Sequence, residues 1–342
     1  MIIQLIQFVI GLALLIVLHE FGHFLAARAF KIEVEEFGIG FPPRAATLFE
    51  AKGTKFTLNW IPLGGFVRPK GENDPTIPGG LASASPWKRL GVLFAGPGIN
   101  ILTGIILAIL LIYTFGEPIL DKVRVDEVAV NSPAEQAGLL TGDLITEVDG
   151  VQIDSMTTLQ ETIQAHLDQP TTLVVDRNGE TVTVTLTPRS NPPANQGAIG
   201  VLLGNPTRPI PVSEAITGGV SASFEYMRAV LALPVTLIKG ENTPEEGRTF
   251  VGYKGMFDIF QQIRNPLYFF MAVSFSLGLL NLFPIPSLDG GRILLTLPEI
   301  LFKRRIPAQY ENMIHLVGFA VLLILLIYIN IQDFVNPVVL PK

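Results

Sequence analysis

The run His19-Glu20-Phe21-Gly22-His23 sets two imidazoles four residues apart with a carboxylate between them. On a helix, residues i and i+4 lie one above the other on the same face, so both rings can converge on one metal ion. Glu20 points about 100° around the axis from His19, beside such an ion rather than at it, where a carboxylate can take a proton from activated water. The chemistry this spacing implies is zinc-dependent hydrolysis. The chain has no cysteine, so it has no disulfide, no thiolate ligand and no Cys nucleophile, and any metal must be held by nitrogen and oxygen. The histidines are scarce, four in all.

A catalytic zinc wants a third protein ligand and an open position for water or substrate. His166 falls in a soluble segment and His315 opens the last apolar stretch, so neither is an obvious partner. Asp289 borders another apolar stretch, in Asn281-Leu-Phe-Pro-Ile-Pro-Ser-Leu-Asp289-Gly290-Gly291. Pro284 and Pro286 interrupt the helix there, and non-helical backbone at membrane depth is tolerated only beside protein or a water-filled cavity. A carboxylate at that point fits a metal site. The alternative is a helix N-cap or a turn aspartate ahead of glycine. Gly22 costs a helix roughly 1 kcal/mol against Ala, and its expected use is close approach of another helix or of the metal's water.

The elements that must position these residues are membrane spans. Of 342 residues, 49% are apolar and only 16% charged, and the mean hydropathy is +0.45. That is too apolar for two ordinary soluble domains. The net charge of −6 supplies no basic face, which argues against a nucleic-acid partner. Four stretches can cross a hydrocarbon core of about 30 Å, which takes roughly 20 helical residues: Met1 to Phe30, Leu90 to Phe115, Asn265 to Leu288, and Asn312 to Gln332. Ionisable groups in a membrane helix cost about 3 kcal/mol each and persist there chiefly for function, and the first span holds His19, Glu20 and His23 together. A cleaved signal peptide is the other reading of that span, but no basic residue precedes its apolar run.

Lys and Arg set the orientation. The loop 31–89 carries eight, and the short loop after the third span carries Arg292, Lys303, Arg304 and Arg305. Both are expected in the cytoplasm, with the long middle segment and both termini on the opposite side and the site toward the cytoplasmic face.

That middle segment is β-rich. Strand runs are expected at 122–130, 171–175 and 181–187, the last two joined through the turn Asn178-Gly179. A short helix opens at Ser132-Pro133 and closes at Gly138, and 156–166 reads as an amphipathic helix. The stretch Asn131 to Ile145, followed by Val148-Asp149-Gly150, resembles the PDZ domains of bacterial proteases, which bind chain ends by adding a strand to a sheet edge. Asp143 and Asp149 read as turn residues rather than catalytic carboxylates. A Pro/Asn-rich stretch, 188–211, reads as a linker.

HEFGH in the first span, paired with NLFPIPSLDGG at the end of the third, resembles the site-2 protease family of intramembrane zinc metalloproteases. The likeness covers nearly the whole chain and is closest to bacterial members of the regulator-of-sigma-E type. It implies a membrane α-helical fold with four transmembrane helices, a membrane-associated β-hairpin or sheet segment, and one inserted α+β PDZ domain. The boundaries that follow are an N-terminal membrane half at 1–115, a PDZ domain at 116–190, a linker and amphipathic segment at 191–264, and a C-terminal membrane half at 265–342. Matched motif to motif, the resemblance implies that His19, His23 and Asp289 bind zinc, that Glu20 activates water, and that Asn281 contacts substrate or the oxyanion. Gly38-Ile39-Gly40 and Pro62-Leu-Gly-Gly-Phe-Val67 look like the family's β segment, which places Gly64, Gly65 and Phe66 against substrate. Ala95-Gly-Pro-Gly-Ile-Asn100 is similar to the opening of its second span.

The expected activity is cleavage of single-span membrane proteins, such as anti-sigma factors, after a first cut by another protease. The expected location is the bacterial inner membrane, in contact with lipid, with a peptide ligand for the PDZ domain. The rival readings are a non-catalytic PDZ-bearing scaffold, which has no use for an intramembrane metal motif, and a transporter, which the lack of a repeated half disfavours.

Overall fold

A computed structural model describes residues 1–193, 196–239, 251–263 and 265–338. Within the 191–264 segment read as linker and amphipathic, 194–195, 240–250 and 264 lie outside the described residues. The chain begins with α1 (Ile2–Ala29), β1 (Val34–Ala51), β2 (Thr54–Pro69) and α2 (Pro86–Phe115). There follow β3 (Glu117–Pro118), β4 (Val123–Val128), α3 (Pro133–Gln136), β5 (Leu144–Val148), β6 (Val151–Gln152), α4 (Met156–Ala165), β7 (Thr171–Arg177), β8 (Glu180–Leu186), β9 (Val201–Gly204) and β10 (Thr207–Arg208). It ends with α5 (Val212–Lys239), α6 (Tyr253–Gln262), α7 (Pro266–Leu282), α8 (Asp289–Phe302) and α9 (Ala308–Val335). Among the described residues two units separate, one from 1–111 with 216–338, the other from 112–215.

In the first unit α1, α2 and α9, of 28, 30 and 28 residues, are long and apolar enough to cross a bilayer. Leu316, Val317 and Ile324 of α9 stay exposed, which suits a helix bathed in lipid. The third expected span is shorter than 265–288: α7 has 17 residues, about 25 Å at 1.5 Å per residue. It stops at Leu282 because Pro284 forces the residue before it out of the helical region, and Phe283 takes ψ 144°.

Small residues let these helices touch. A Cβ on Gly104 would lie 2.7 Å from the Phe275 ring, and one on Gly278 would lie 2.8 Å from Ile101 and 2.9 Å from the Pro97 carbonyl. Between them the buried Ser274 Oγ donates to the Asn100 carbonyl at 2.8 Å, fastening α7 to α2. At the other end of the bundle Phe8, Leu12, Phe260 and Phe269 pack α1, α6 and α7 into one cluster. The fully buried Asp333 of α9 accepts from the amides of Gly252 and Gly255 at 2.7 and 2.9 Å, satisfying the exposed N–H groups that open α6.

β1 and β2 form more than a hairpin. Residues 36–39 pair on one side with 65–68 and on the other with 55–58, which in turn pair with 46–50. Four runs therefore lie side by side in the order 46–51, 54–58, 36–39, 65–69. Phe24 of α1 packs edge-on against Phe37 and Phe56, both 5.7 Å away, and seats this sheet on the helix that carries the histidines. Glu36, buried in an inner run, accepts from Thr57 Oγ1 at 2.9 Å and Arg44 at 2.7 Å, and lies 3.1 Å from Arg68. Burial alone would raise its carboxyl. The Thr57 and Arg44 bonds, with the two guanidinium charges, win and hold it below the ordinary range.

The second unit is a sheet in the order β8-β7-β5-β4-β9, with β6 on β5, packed around Val125, Ile145, Leu159, Leu173 and Val175. Ser132 caps α3 through the Glu135 amide. Asp143 is buried in an ion pair with Arg177 and also accepts from the Leu140 amide at 2.9 Å, while Asp149 accepts from the Thr172 amide, so both serve turns and strand ends. The stretch 188–211 is not a linker. It supplies β9, which pairs with β4, and β10, which pairs with β3, so this unit runs past the expected boundary at 190 to Ala215. The Pro/Asn content hid a four-residue edge strand.

Because a depressed carboxyl stabilises the fold above its unfolded value and loses that contribution as pH falls through its folded one, protection of the sheet amides at 36–39 and 65–68 should hold above 4.5, the ordinary glutamate value. It should fail only at lower pH. Hydrogen-exchange protection factors across that range read this directly, and Glu36→Ala should abolish the step.

Candidate metal centre

The helical spacing brings the two rings together as expected. His19 and His23 meet edge to face with their Nε2 atoms 3.1 Å apart. Asp289 comes from the far end of the sequence, as the first residue of α8, and its Oδ2 lies 3.2 Å from His19 Nε2 and 3.4 Å from His23 Nε2. It is not a cap: Leu288 occupies the N-cap, and Oδ2 is buried with no hydrogen-bond donor among the described residues. Among the described residues no other group of His, Asp or Glu side chains converges in this way. Donors about 2.0–2.1 Å from a tetrahedral zinc stand about 3.3–3.4 Å from one another. The triangle 3.1, 3.2 and 3.4 Å fits that ion, with one tetrahedral position left over.

Each arm of the triangle is held from behind. His23 Nδ1 donates to the Val92 carbonyl of α2 at 2.8 Å, which leaves the lone pair on Nε2 facing Asp289. The His23 ring fills the place where a side chain on Gly96 would be, and the Ala95 carbonyl fills the place of a side chain on Gly22. Gly22 therefore serves the close approach of α1 and α2. Asn100, fully buried on the same face of α2, faces His19 Nδ1. The motif Ala95 to Asn100 is thus the back wall of the site, a role its sequence did not disclose. A proline followed three residues later by a polar amide inside an apolar helix was the available signal.

Asp289 depends on the irregular loop 283–288. Ser287 takes φ 78°, unusual for a residue with a side chain, and is tied to α9: its amide donates to His315 Nδ1 at 3.0 Å and its hydroxyl to the His315 carbonyl at 2.6 Å. Gly290 and Gly291 follow because the carbonyls of Leu282, Phe283 and Ile285 crowd the places their side chains would take. His315 lies outside the triangle, but it braces the loop that carries Asp289.

Glu20 stands apart from the triangle. Its Oε2 accepts from the Val67 amide of β2 at 3.1 Å, and with the three donors it lines a polar cavity of about 430 Å³. Phe66, Val67, Arg68 and Asn281 share that lining. Asn281 is anchored by donating to the Leu277 carbonyl at 3.0 Å. Gly65 lies at the Glu20 side chain, 3.4 Å from where its Cβ would stand, whereas Gly64, at φ +124°, lies against the Phe41 ring. Glu72 and Arg292 pair at the cavity wall.

A family model described as Peptidase family M50 matches residues 7–325. The chain belongs to that family. A Campylobacter jejuni protein whose name places it among zinc metalloproteases is 31% identical, over 97% of this chain and 93% of its own. Similarly named proteins of Clostridium perfringens and Bartonella henselae are 30% and 29% identical, covering 95% and 94% of this chain and 96% and 98% of theirs. This M50 peptidase, a site-2 protease relative, is accordingly a membrane zinc metalloprotease.

Gly96→Ala puts a methyl group into the His23 ring. With the ring displaced by about 1 Å, the zinc content of purified protein should drop and cleavage should fall about 100-fold. Metal analysis beside a proteolysis assay measures both.

Proposed function

We propose that this M50 peptidase hydrolyses peptide bonds within the membrane-spanning helices of other proteins, with zinc held by His19, His23 and Asp289 and Glu20 as general base. The observation that carries the reading is the triangle of nitrogen and oxygen donors, two of them on the apolar helix α1 and the third at the start of α8, with a separate carboxylate beside it. Zinc bound there supplies a Lewis acid that polarises a carbonyl and acidifies water. Glu20 keeps Oε2 on the Val67 amide, takes the proton on its other oxygen and returns it to the leaving amine. A helical peptide bond is shielded by its own hydrogen bonds, so substrate must be extended first. Among the described residues the run 65–69 pairs with no second strand, although its Val67 amide is held by Glu20, and a substrate strand laid along it through its remaining backbone groups would be held extended. Gly65 keeps the approach beside Glu20 clear of a side chain, Phe66 meets the substrate, and Asn281 donates to its carbonyl oxygen.

In this reading α7 with the loop after it completes a set of four spans. The Lys and Arg of loops 31–89 and 292–305 support a site toward the cytoplasm, with the 112–215 unit and both termini outside. The bacterial relatives support the inner membrane. A capped short helix, a strand, the helix α4 and the edge strand β9 support a PDZ domain that binds new chain ends or filters substrate by size. Single-span proteins such as anti-sigma factors, already trimmed by another protease, are the substrates that fit.

Glu20→Gln should keep full zinc occupancy and lower cleavage of a co-reconstituted single-span protein by about 100- to 10,000-fold. Asp289→Asn should instead lose zinc; undiminished occupancy in that variant would strike Asp289 from the ligand set.

A further inference from the structure

An imidazole that binds metal through Nε2 must carry its proton on Nδ1, and that proton needs an acceptor when the ring is buried. For His23 the acceptor is the Val92 carbonyl. For His19 the only group within reach of Nδ1 among the described residues is the Asn100 carboxamide, whose Nδ2 lies 3.4 Å away. Asn100 is fully buried, its backbone carbonyl is taken by Ser274, and its Oδ1 has no hydrogen-bond partner among the described residues. The two ends of a carboxamide have the same shape, so a half-turn of the side chain exchanges them without disturbing the packing. With Nδ2 toward the ring, Nδ1 has to accept and the proton is forced onto Nε2, against the His23 nitrogen. With Oδ1 toward the ring, the unpartnered oxygen accepts from Nδ1–H and Nε2 presents its lone pair.

We propose that Asn100 is a positioning residue of the metal centre, whose Oδ1 accepts from Nδ1–H of His19 and so fixes the tautomer that can bind zinc. The proposal rests on His19 being a ligand. It explains why α2 spends a buried polar side chain beneath α1, where leucine would pack as well. It also gives both histidines the same kind of support from one helix, a backbone carbonyl one turn past Lys88 and an amide two turns further on.

The test is zinc affinity of the full-length protein in detergent, measured by competition with a chelator. Asn100→Leu should weaken zinc binding by about 10- to 100-fold. Asn100→Asp, which keeps an acceptor oxygen, should recover it to within a few-fold. Ser274→Ala, which loosens the same helix contact without touching the amide, should bind as the parent does. Parent-like affinity in Asn100→Leu overturns the proposal, and so does a loss that Asn100→Asp fails to restore, because that outcome makes Asn100 a packing residue. His19→Ala separates the two readings: if it binds zinc as tightly as the parent, the ligand assignment itself falls. Should Asn100→Leu fail to fold, nitrogen-15 spectra of the zinc-loaded parent decide the matter, since only four histidines contribute. A protonated Nδ1 on His19 is expected, and a bare one overturns the proposal.

Discussion

Three electron-pair donors, two imidazole nitrogens and a carboxylate oxygen, sit within 3.4 Å of one another where water is scarce. Such a site is costly to assemble, since groups that would each be solvated outside the bilayer are crowded together with their lone pairs facing inward. A cation at the centre turns that cost into a binding free energy. The remaining architecture of this unit can be understood as the scaffolding that keeps the three donors from drifting apart.

The scaffolding is mostly small residues. Gly22 against the Ala95 carbonyl and Gly96 against the His23 ring bring α1 onto α2, and Gly104, Ser274 and Gly278 bring α2 onto α7. Apolar surface offers little drive for association in lipid, so close backbone contact and a few buried hydrogen bonds must do that work. The loop 283–288 then turns Asp289 inward. Two prolines end the helix before it, two glycines admit its return, and His315 braces its strained Ser287.

A second constraint comes from outside the bundle. The curled sheet of β1 and β2 reaches the site through one hydrogen bond, from Val67 to Glu20, and Glu36 pins the runs that deliver it. Glu20 is thus carried by α1 but aimed by the sheet, while the three donors of the triangle are aimed by α2 and α9. The two sets of supports are separable, which is why loss of base alignment and loss of metal are expected to be distinct failures. Catalytic geometry of this kind is assembled from rigid elements rather than from the loops alone.

How much of this was legible beforehand follows from the range of each interaction. The i, i+4 histidines, the apolar spans α1, α2 and α9, and the turn Asn178-Gly179 are local patterns, set by the pitch of a helix or the φ that a residue tolerates, and the sequence determined them unaided. Asp289 was a candidate on its setting, between prolines and glycines, but its convergence on the histidines across some 270 residues of chain is a fact of tertiary packing. Three things were decided only there: the early stop of α7, the conversion of 188–211 into the edge strand β9, and the use of Val92, Gly96 and Asn100 as the back wall of the site. A backbone carbonyl has no signature in sequence, and a glycine or an asparagine acquires its meaning only from the ring that a neighbouring helix lays against it.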